Sequence, residues 1–168
     1  MEKIAIVYGS TTGNTQSVAE EIAKKIGEEN VELIDVSSAS EETFNSYSNF
    51  ILGSSTWGIG DIQDDWYDMV DSLAGFDLEN KKVAIFGLGD GYSYSDSFVD
   101  AIGTLYEAVT KATATVIGSV STDGYSFGES LAVKDGEFVG LPIDEDNESQ
   151  MTEERISNWL ENILPQFN

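Results

Sequence analysis

Short apolar runs alternate with amphipathic stretches along almost the whole chain, and this alternation limits the fold more than any single motif. Residues 3–8 (KIAIVY) form a nearly continuous apolar run ending at Gly9, the pattern of a strand buried on both faces. Val18, Ala19, Ile22, Ala23 and Ile26 then fall at three- and four-residue spacing, which predicts a helix over 15–26 closed by Gly27. Further strands are predicted at 31–36, 49–53 and 82–88. Between the last two, Trp66, Met69, Val70 and Leu73 mark one amphipathic helix; Phe98, Ala101, Ile102, Leu105, Tyr106 and Val109 mark a longer one. A fifth strand is predicted at 115–120. A Ser- and Gly-rich stretch over 121–137 follows it, with a hairpin signal at Asp135-Gly136. The strand pattern resumes at 138–143, and a last helix runs from Thr152 through Ile156, Trp159, Leu160 and Ile163 towards Pro165. Such alternation predicts a parallel sheet with helices on both faces, because each right-handed crossover returns the chain to the same edge. In these sheets ligands bind outside the carboxyl ends of the strands, where strand order reverses.

Length and composition narrow the chemistry. A chain of 168 residues with 40% apolar and 11% aromatic residues suits one globular domain, and no repeat or low-complexity linker divides it. No window is long and apolar enough for a membrane span, and the start Met1-Glu2-Lys3-Ile4 lacks a basic stretch, so the expectation is a cytoplasmic protein. The chain has no Cys and no His, which removes the thiolate nucleophile and the commonest general base and metal ligand. Chemistry here is therefore expected to belong to a bound cofactor. Eight Lys and Arg against 31 Asp and Glu give a net charge of −23. Such a surface repels nucleic acid and anionic membrane and favours basic protein partners, although it also suits solubility or a high-salt habit.

The loop Gly9-Ser10-Thr11-Thr12-Gly13-Asn14-Thr15 joins the first strand to the first helix. Four hydroxyls, an amide and two glycines sit where helix N–H groups point outward unpaired, and the helix dipole there favours an anion. The loop carries no Lys or Arg and matches neither a Walker A loop nor a Gly-x-Gly-x-x-Gly dinucleotide turn. An uncharged phosphate cradle is the expectation.

The run Ile6-Val7-Tyr8-Gly9-Ser10-Thr11-Thr12-Gly13-Asn14-Thr15, followed by Ala19 and Ile22, resembles the phosphate-loop signature of the flavodoxins. The resemblance continues through Thr56-Trp57-Gly58-Ile59-Gly60, Gly87-Leu88-Gly89-Asp90, Tyr94, Ser121-Thr122-Asp123-Gly124-Tyr125 and Asp144-Glu145-Asp146, so it spans the chain. The 121–137 stretch resembles the insertion of the long-chain branch. The fold this implies is a flavodoxin-like α/β three-layer sandwich. Its five-stranded parallel sheet would carry helices on both faces, with the fifth strand interrupted by the insertion.

The function it implies is a low-potential one-electron carrier, not an enzyme, with non-covalently bound FMN cycling between semiquinone and hydroquinone. By the same resemblance, Ser10, Thr11, Thr12, Gly13, Asn14 and Thr15 hold the phosphate. Trp57 and Tyr94 sandwich the isoalloxazine, and Ser55, Thr56, Gly58, Ile59, Gly60, Leu88, Gly89 and Phe98 are further implied cofactor-binding residues. Asp90 and its backbone neighbours meet the pyrimidine edge, and Asp146 the ribityl chain. Implied partners are basic redox proteins such as a ferredoxin/flavodoxin-NADP reductase or a 2-oxoacid oxidoreductase, met by a monomer.

The sequence departs from the long-chain pattern at Gly58, commonly Asn, and Gly91, often Gln. Gly58 permits a peptide rotation towards the flavin N5, or is a plain turn residue; Gly91 is expected to remove a side chain near the ring. A flavin-dependent quinone or NAD(P)H oxidoreductase is the runner-up, but paired aromatics would leave nicotinamide no room over the ring. A signalling receiver domain is excluded, since Tyr8-Gly9-Ser10 and Gly53-Ser54-Ser55 stand where its acids are required. Topology also sends Lys3, Lys24, Lys25, Lys81, Lys82 and Lys111 to the end opposite the cofactor, leaving a negative pole of mostly solvated acids around it.

Overall fold

The computed structural model describes residues 1–168. Its central sheet is built from β1 (Ile4–Gly9), β2 (Val31–Asp35), β3 (Asn49–Trp57), β5 (Lys82–Leu88) and a fifth strand split into β6 (Thr115–Ile117) and β10 (Leu141–Ile143). The spatial order is β2-β1-β3-β5, with both β6 and β10 pairing in parallel with β5. Chain order reverses between β1 and β3, so a crevice opens at their carboxyl ends. Alternate strand residues face opposite sides: Val7, Leu52 and Ile85 enter one core, and Ile6, Ile51 and Phe86 the other. Helices α3 (Asp64–Leu73) and α4 (Asp100–Lys111) bury Trp66, Leu73 and Leu105 in the first core. Helices α1 (Asn14–Ile26) and α5 (Thr152–Ile163) bury Ile22 and Trp159 in the second. The three-layer α/β sandwich is as expected.

Glycine permits closest approach at the sheet centre. A Cβ on Gly53 would lie 2.0 Å from the Phe86 ring, which fills that space. Gly53→Ala is expected to cost about 2 kcal/mol of unfolding free energy by overpacking, read as a lower urea midpoint. An unchanged midpoint would show that the ring yields freely.

Several boundaries differ from the sequence expectations. Strand β3 continues four residues past Gly53, because Ser54 and Ser55 pair with β5, while Thr56 and Trp57 pair with antiparallel β4 (Asp61–Ile62). Trp57 therefore ends a hairpin strand and does not begin a loose loop. A short helix α2 (Glu41–Ser46) has too few turns for visible periodicity; it is set by a Ser40–Thr43 capping box and Phe44 stacked on Phe50 at 5.1 Å. Helix α4 starts at Asp100, so Phe98 precedes it. The predicted strand over 115–120 stops at Ile117, where Gly118 turns to φ +89 and its carbonyl accepts from Trp159 Nε1 at 2.9 Å. Beyond it, β7 (Val120–Ser121), β8 (Val133–Lys134) and β9 (Glu137–Phe138) form a separate three-stranded sheet. The predicted run over 138–143 is thus shared between two sheets. The Asp135-Gly136 turn has positive φ at both positions, as its hairpin signal requires.

Candidate functional site

A cleft of about 370 Å³ lies at the carboxyl ends of β1, β3 and β5. One wall is the β1–α1 loop. Gly13 takes the left-handed conformation at φ +96, and its N–H donates to Ser10 Oγ at 3.1 Å. Thr11 Oγ1 accepts from Gln63 Nε2 at 3.2 Å. Ser10 and Thr11 therefore brace the loop, while Thr12, Asn14 and Thr15 line the cleft. No side chain caps α1 and no acid stands in its first turn. Its leading N–H groups remain available to an anion.

The opposite walls carry two exposed rings, Trp57 at 41% and Tyr94 at 51% of full accessibility. Ser55, Thr56 and Gly58 continue the Trp57 side; Leu88, Gly89 and Asp90 lead to Tyr94; Glu145 and Asp146 complete the rim. Ser55 Oγ is buried with no hydrogen-bond partner. A buried hydroxyl on a cleft wall with no partner in the chain is available to a group held in the cleft.

Besides Ser10, Thr11 and Gly13, three more expected site residues do not line the cleft. Ile59 points into solvent at 92% exposure, because it tips the Trp57 hairpin. Gly60 faces Asp100 instead of the cleft. Phe98 is buried, packing on Phe127 at 5.6 Å and Phe138 at 6.1 Å, and so supports the Gly89–Gly91 backbone from below.

Two carboxylates organise the loops by the rim. Asp144 is buried and accepts from Gly91 N at 3.0 Å and Asn147 N at 3.1 Å, with Asn147 Nδ2 at 3.0 Å. Asp90 accepts from Ser93 N, Tyr92 N and Asn147 Nδ2 at 2.9, 3.1 and 2.8 Å. These donors, Ser93 N–H foremost, hold the Asp90 carboxyl below its ordinary range. Its contribution to stability is present above pH 3.8 and is lost as pH falls through the lower folded value. Asp146 shifts the other way, raised first by partial burial and then by Asp90 and Asp144. Ionising Asp146 therefore opposes folding, and that opposition is relieved as pH falls through its raised value.

The family model named Flavodoxin matches residues 6–159. The chain belongs to the flavodoxin family. It is 44% identical to the flavodoxin of Synechocystis over 166 residues, covering 98% of each chain. It is 46% identical to that of Helicobacter pylori over 168 residues, covering 99% of each. Among solved structures, Fusobacterium nucleatum flavodoxin bound to flavin mononucleotide superposes with a TM-score of 0.95 at 31% identity, covering 100% of both chains.

Against the flavodoxin pattern, Gly91 has a local cause. A Cβ there would lie 2.5 Å from the Ser126 carbonyl oxygen, so the missing side chain admits the backbone of the 118–140 segment. The acids are also less uniform than expected: Asp61, Asp64, Asp65 and Asp68 are exposed, but Asp100 and Asp144 are buried. Lys24, Lys25 and Lys111 end helices, and Lys82 opens β5, so these charges lie away from the cleft. Arg155 lies at the cleft end of the sheet, where it pairs with Glu148 at 3.2 Å and stacks over Tyr125 at 4.0 Å. Sequence reasoning missed Gln63 and Asn147. Both are polar residues beside predicted element ends, and only their long-range bonds reveal them as braces.

Two other hollows, of about 340 and 420 Å³, flank the split fifth strand. The first takes in the start of α5, but Glu153 and Glu154 already stand in that first turn, and the second is lined by the later turns of α4 and α5.

Proposed function

We propose that the chain is a one-electron carrier that binds FMN in the cleft between Trp57 and Tyr94. The observation that carries this reading is the joining, in one crevice, of an uncapped helix N-terminus, an unpartnered buried serine hydroxyl and two facing-loop aromatics. Family membership and the flavin-bound relative support it. Bound FMN supplies reversible one-electron transfer. Thr12, Asn14, Thr15 and the first N–H groups of α1 hold the phosphate; Ser55, Thr56 and Asp146 face the ribityl chain. Leu88, Gly89 and the Asp90 backbone meet the pyrimidine edge, and the two aromatic rings cover the isoalloxazine. Ser10, Thr11, Gly13 and Phe98 act from behind these contacts. Like the rest of its family the chain works with redox partner proteins; we place it in the cytoplasm as a monomer, with basic partners drawn to its acidic cleft end.

The test is a titration of apoprotein with FMN. Quenching of flavin fluorescence at equal concentrations, and a yellow product that takes up electrons singly from dithionite, are expected. A colourless product that leaves micromolar FMN unquenched overturns the reading. Rapid NADPH oxidation by the isolated protein would favour the oxidoreductase alternative.

Electron transfer to a basic partner is expected to slow several-fold between low salt and about 0.5 M salt, since screening shortens the reach of surface charge. A stopped-flow rate independent of ionic strength would contradict electrostatic steering.

Gly58 stands at φ +53, and a Cβ there would meet only Asp61 Oδ2, at 3.5 Å. The Gly58–Ile59 peptide is free to turn its carbonyl towards a donor. A hydrogen bond gained this way is worth about 1 kcal/mol, roughly 40 mV for one electron. Gly58→Ala should therefore lower the first one-electron potential by tens of millivolts. An unchanged potential would reduce Gly58 to a turn residue.

A further inference from the structure

Four consecutive residues behind the cleft, Phe98 to Ala101, touch both aromatic-bearing loops and the 118–140 segment without lining the cleft themselves. On one side, Phe98 N donates to Glu129 O at 3.2 Å, and Phe98 O accepts from Ser130 Oγ. Asp100 Oδ1 accepts from Leu131 N at 2.8 Å. On the other side, Ala101 N donates to Thr56 Oγ1 at 3.1 Å, one residue before Trp57. A Cβ on Gly60 would lie 2.6 Å from Asp100 Oδ2, so the Trp57 hairpin closes directly on this carboxylate. A Cβ on Gly89 would lie 2.9 Å from Val99 N, so the loop leading to Tyr94 rests there too.

We infer that Asp100 is a positioning residue through which the 118–140 segment holds the Trp57 hairpin in its ligand-binding position, an inference that rests on the flavin reading of the cleft. Two features make the junction more than ordinary packing. Val99 adopts φ +47 and ψ +34, a left-handed conformation that a β-branched residue reaches only when its surroundings enforce it. Asp100 is only 6% exposed and takes part in no ion pair, so the fold keeps a carboxylate buried without a cation. Burial pushes its carboxyl upward, and the Leu131 N–H opposes that shift.

Coupling of this kind is reciprocal. If the 118–140 segment steadies the hairpin for FMN, then FMN must steady the segment by the same factor. Amide hydrogen exchange of residues 129–132, measured with and without FMN, reads the second half directly. In the wild type, FMN is expected to slow exchange there about tenfold or more. Asp100→Ala should lose this protection and bind FMN about tenfold more weakly. Asp100→Asn, which keeps an acceptor for Leu131 N, should retain the protection and stay within about threefold in affinity.

Gly103→Ala approaches the junction from the far side of Leu131, since its new Cβ would lie 2.5 Å from the Leu131 carbonyl oxygen. It should reproduce the Asp100→Ala pattern without altering Asp100 or the cleft, and it carries the test if Asp100→Ala does not fold. Wild-type affinity and intact FMN-dependent protection at Leu131 in Asp100→Ala, or in Gly103→Ala in its place, would overturn the inference. If the wild type itself leaves FMN unquenched, the reading of the cleft fails instead; if the wild type binds and the variants match it, only the role of Asp100 falls.

Discussion

Thr12→Asp should weaken FMN binding by about two orders of magnitude and leave the unfolding midpoint unchanged. Thr12 is exposed and lines the cleft beside the uncapped start of α1, so the substitution disturbs no packing. Its effect is electrostatic. The loop contains no Lys or Arg, and phosphate affinity rests on hydroxyls, N–H groups and the helix dipole. A carboxylate about 5 Å from a phosphate bearing two charges, at an effective dielectric near 40, costs roughly 3 kcal/mol, or roughly 200-fold. Thr12→Asn keeps a donor without charge and should stay within about fivefold. Fluorescence titration of the two apoproteins separates charge from shape. Equal affinities for Thr12→Asp and the wild type would place the phosphate elsewhere.

Asp144→Ala is expected to lose about 3 kcal/mol of stability, because it leaves the buried Gly91 N–H and the half-buried Asn147 N–H without an acceptor. The same change frees Asn147, whose Nδ2 also bonds Asp90, so the Asp90–Tyr94 loop loses a second tether. Weaker FMN binding should accompany the lower denaturation midpoint. Asp144→Asn is no remedy, since one of its amide hydrogens would face the Gly91 or the Asn147 N–H. A wild-type midpoint in Asp144→Ala would mean that water serves those donors as well as the carboxylate does.

Most of the fold was legible because its signals are local. The helix over 15–26 follows from five apolar residues on one face and a terminal glycine, and the structure begins it one residue earlier. The β1–α1 loop was equally readable, since its uncharged Ser/Thr/Gly/Asn run marks a strand-to-helix junction, and the structure places Thr12, Asn14 and Thr15 on the cleft wall beside an uncapped helix start. Less legible was β3 beyond Gly53. Ser54, Ser55 and Thr56 have no strong strand pattern of their own and become strand by pairing with β5 and β4. Phe98 shows the same gap within the candidate site: its spacing fitted a helix face, but its ring belongs to a cluster with Phe127 and Phe138, far along the chain.

By itself the sequence determined the alternating parallel architecture, the uncharged Ser/Thr/Gly/Asn loop at the first strand-to-helix junction, the two aromatics at strand ends that line one cleft, and the lack of His and Cys. Each of these is written in residues adjacent in the chain or repeated at the period of one element. Only the tertiary structure decided that Gly91 yields space to Ser126. It alone placed Gln63 as a tie to Thr11, turned Ile59 outward, and buried Asp100 and Asp144 as acceptors for distant N–H groups. The reason is physical: whether a polar side chain is solvated or buried depends on which remote backbone groups need a partner, and those partners meet only when the layers close.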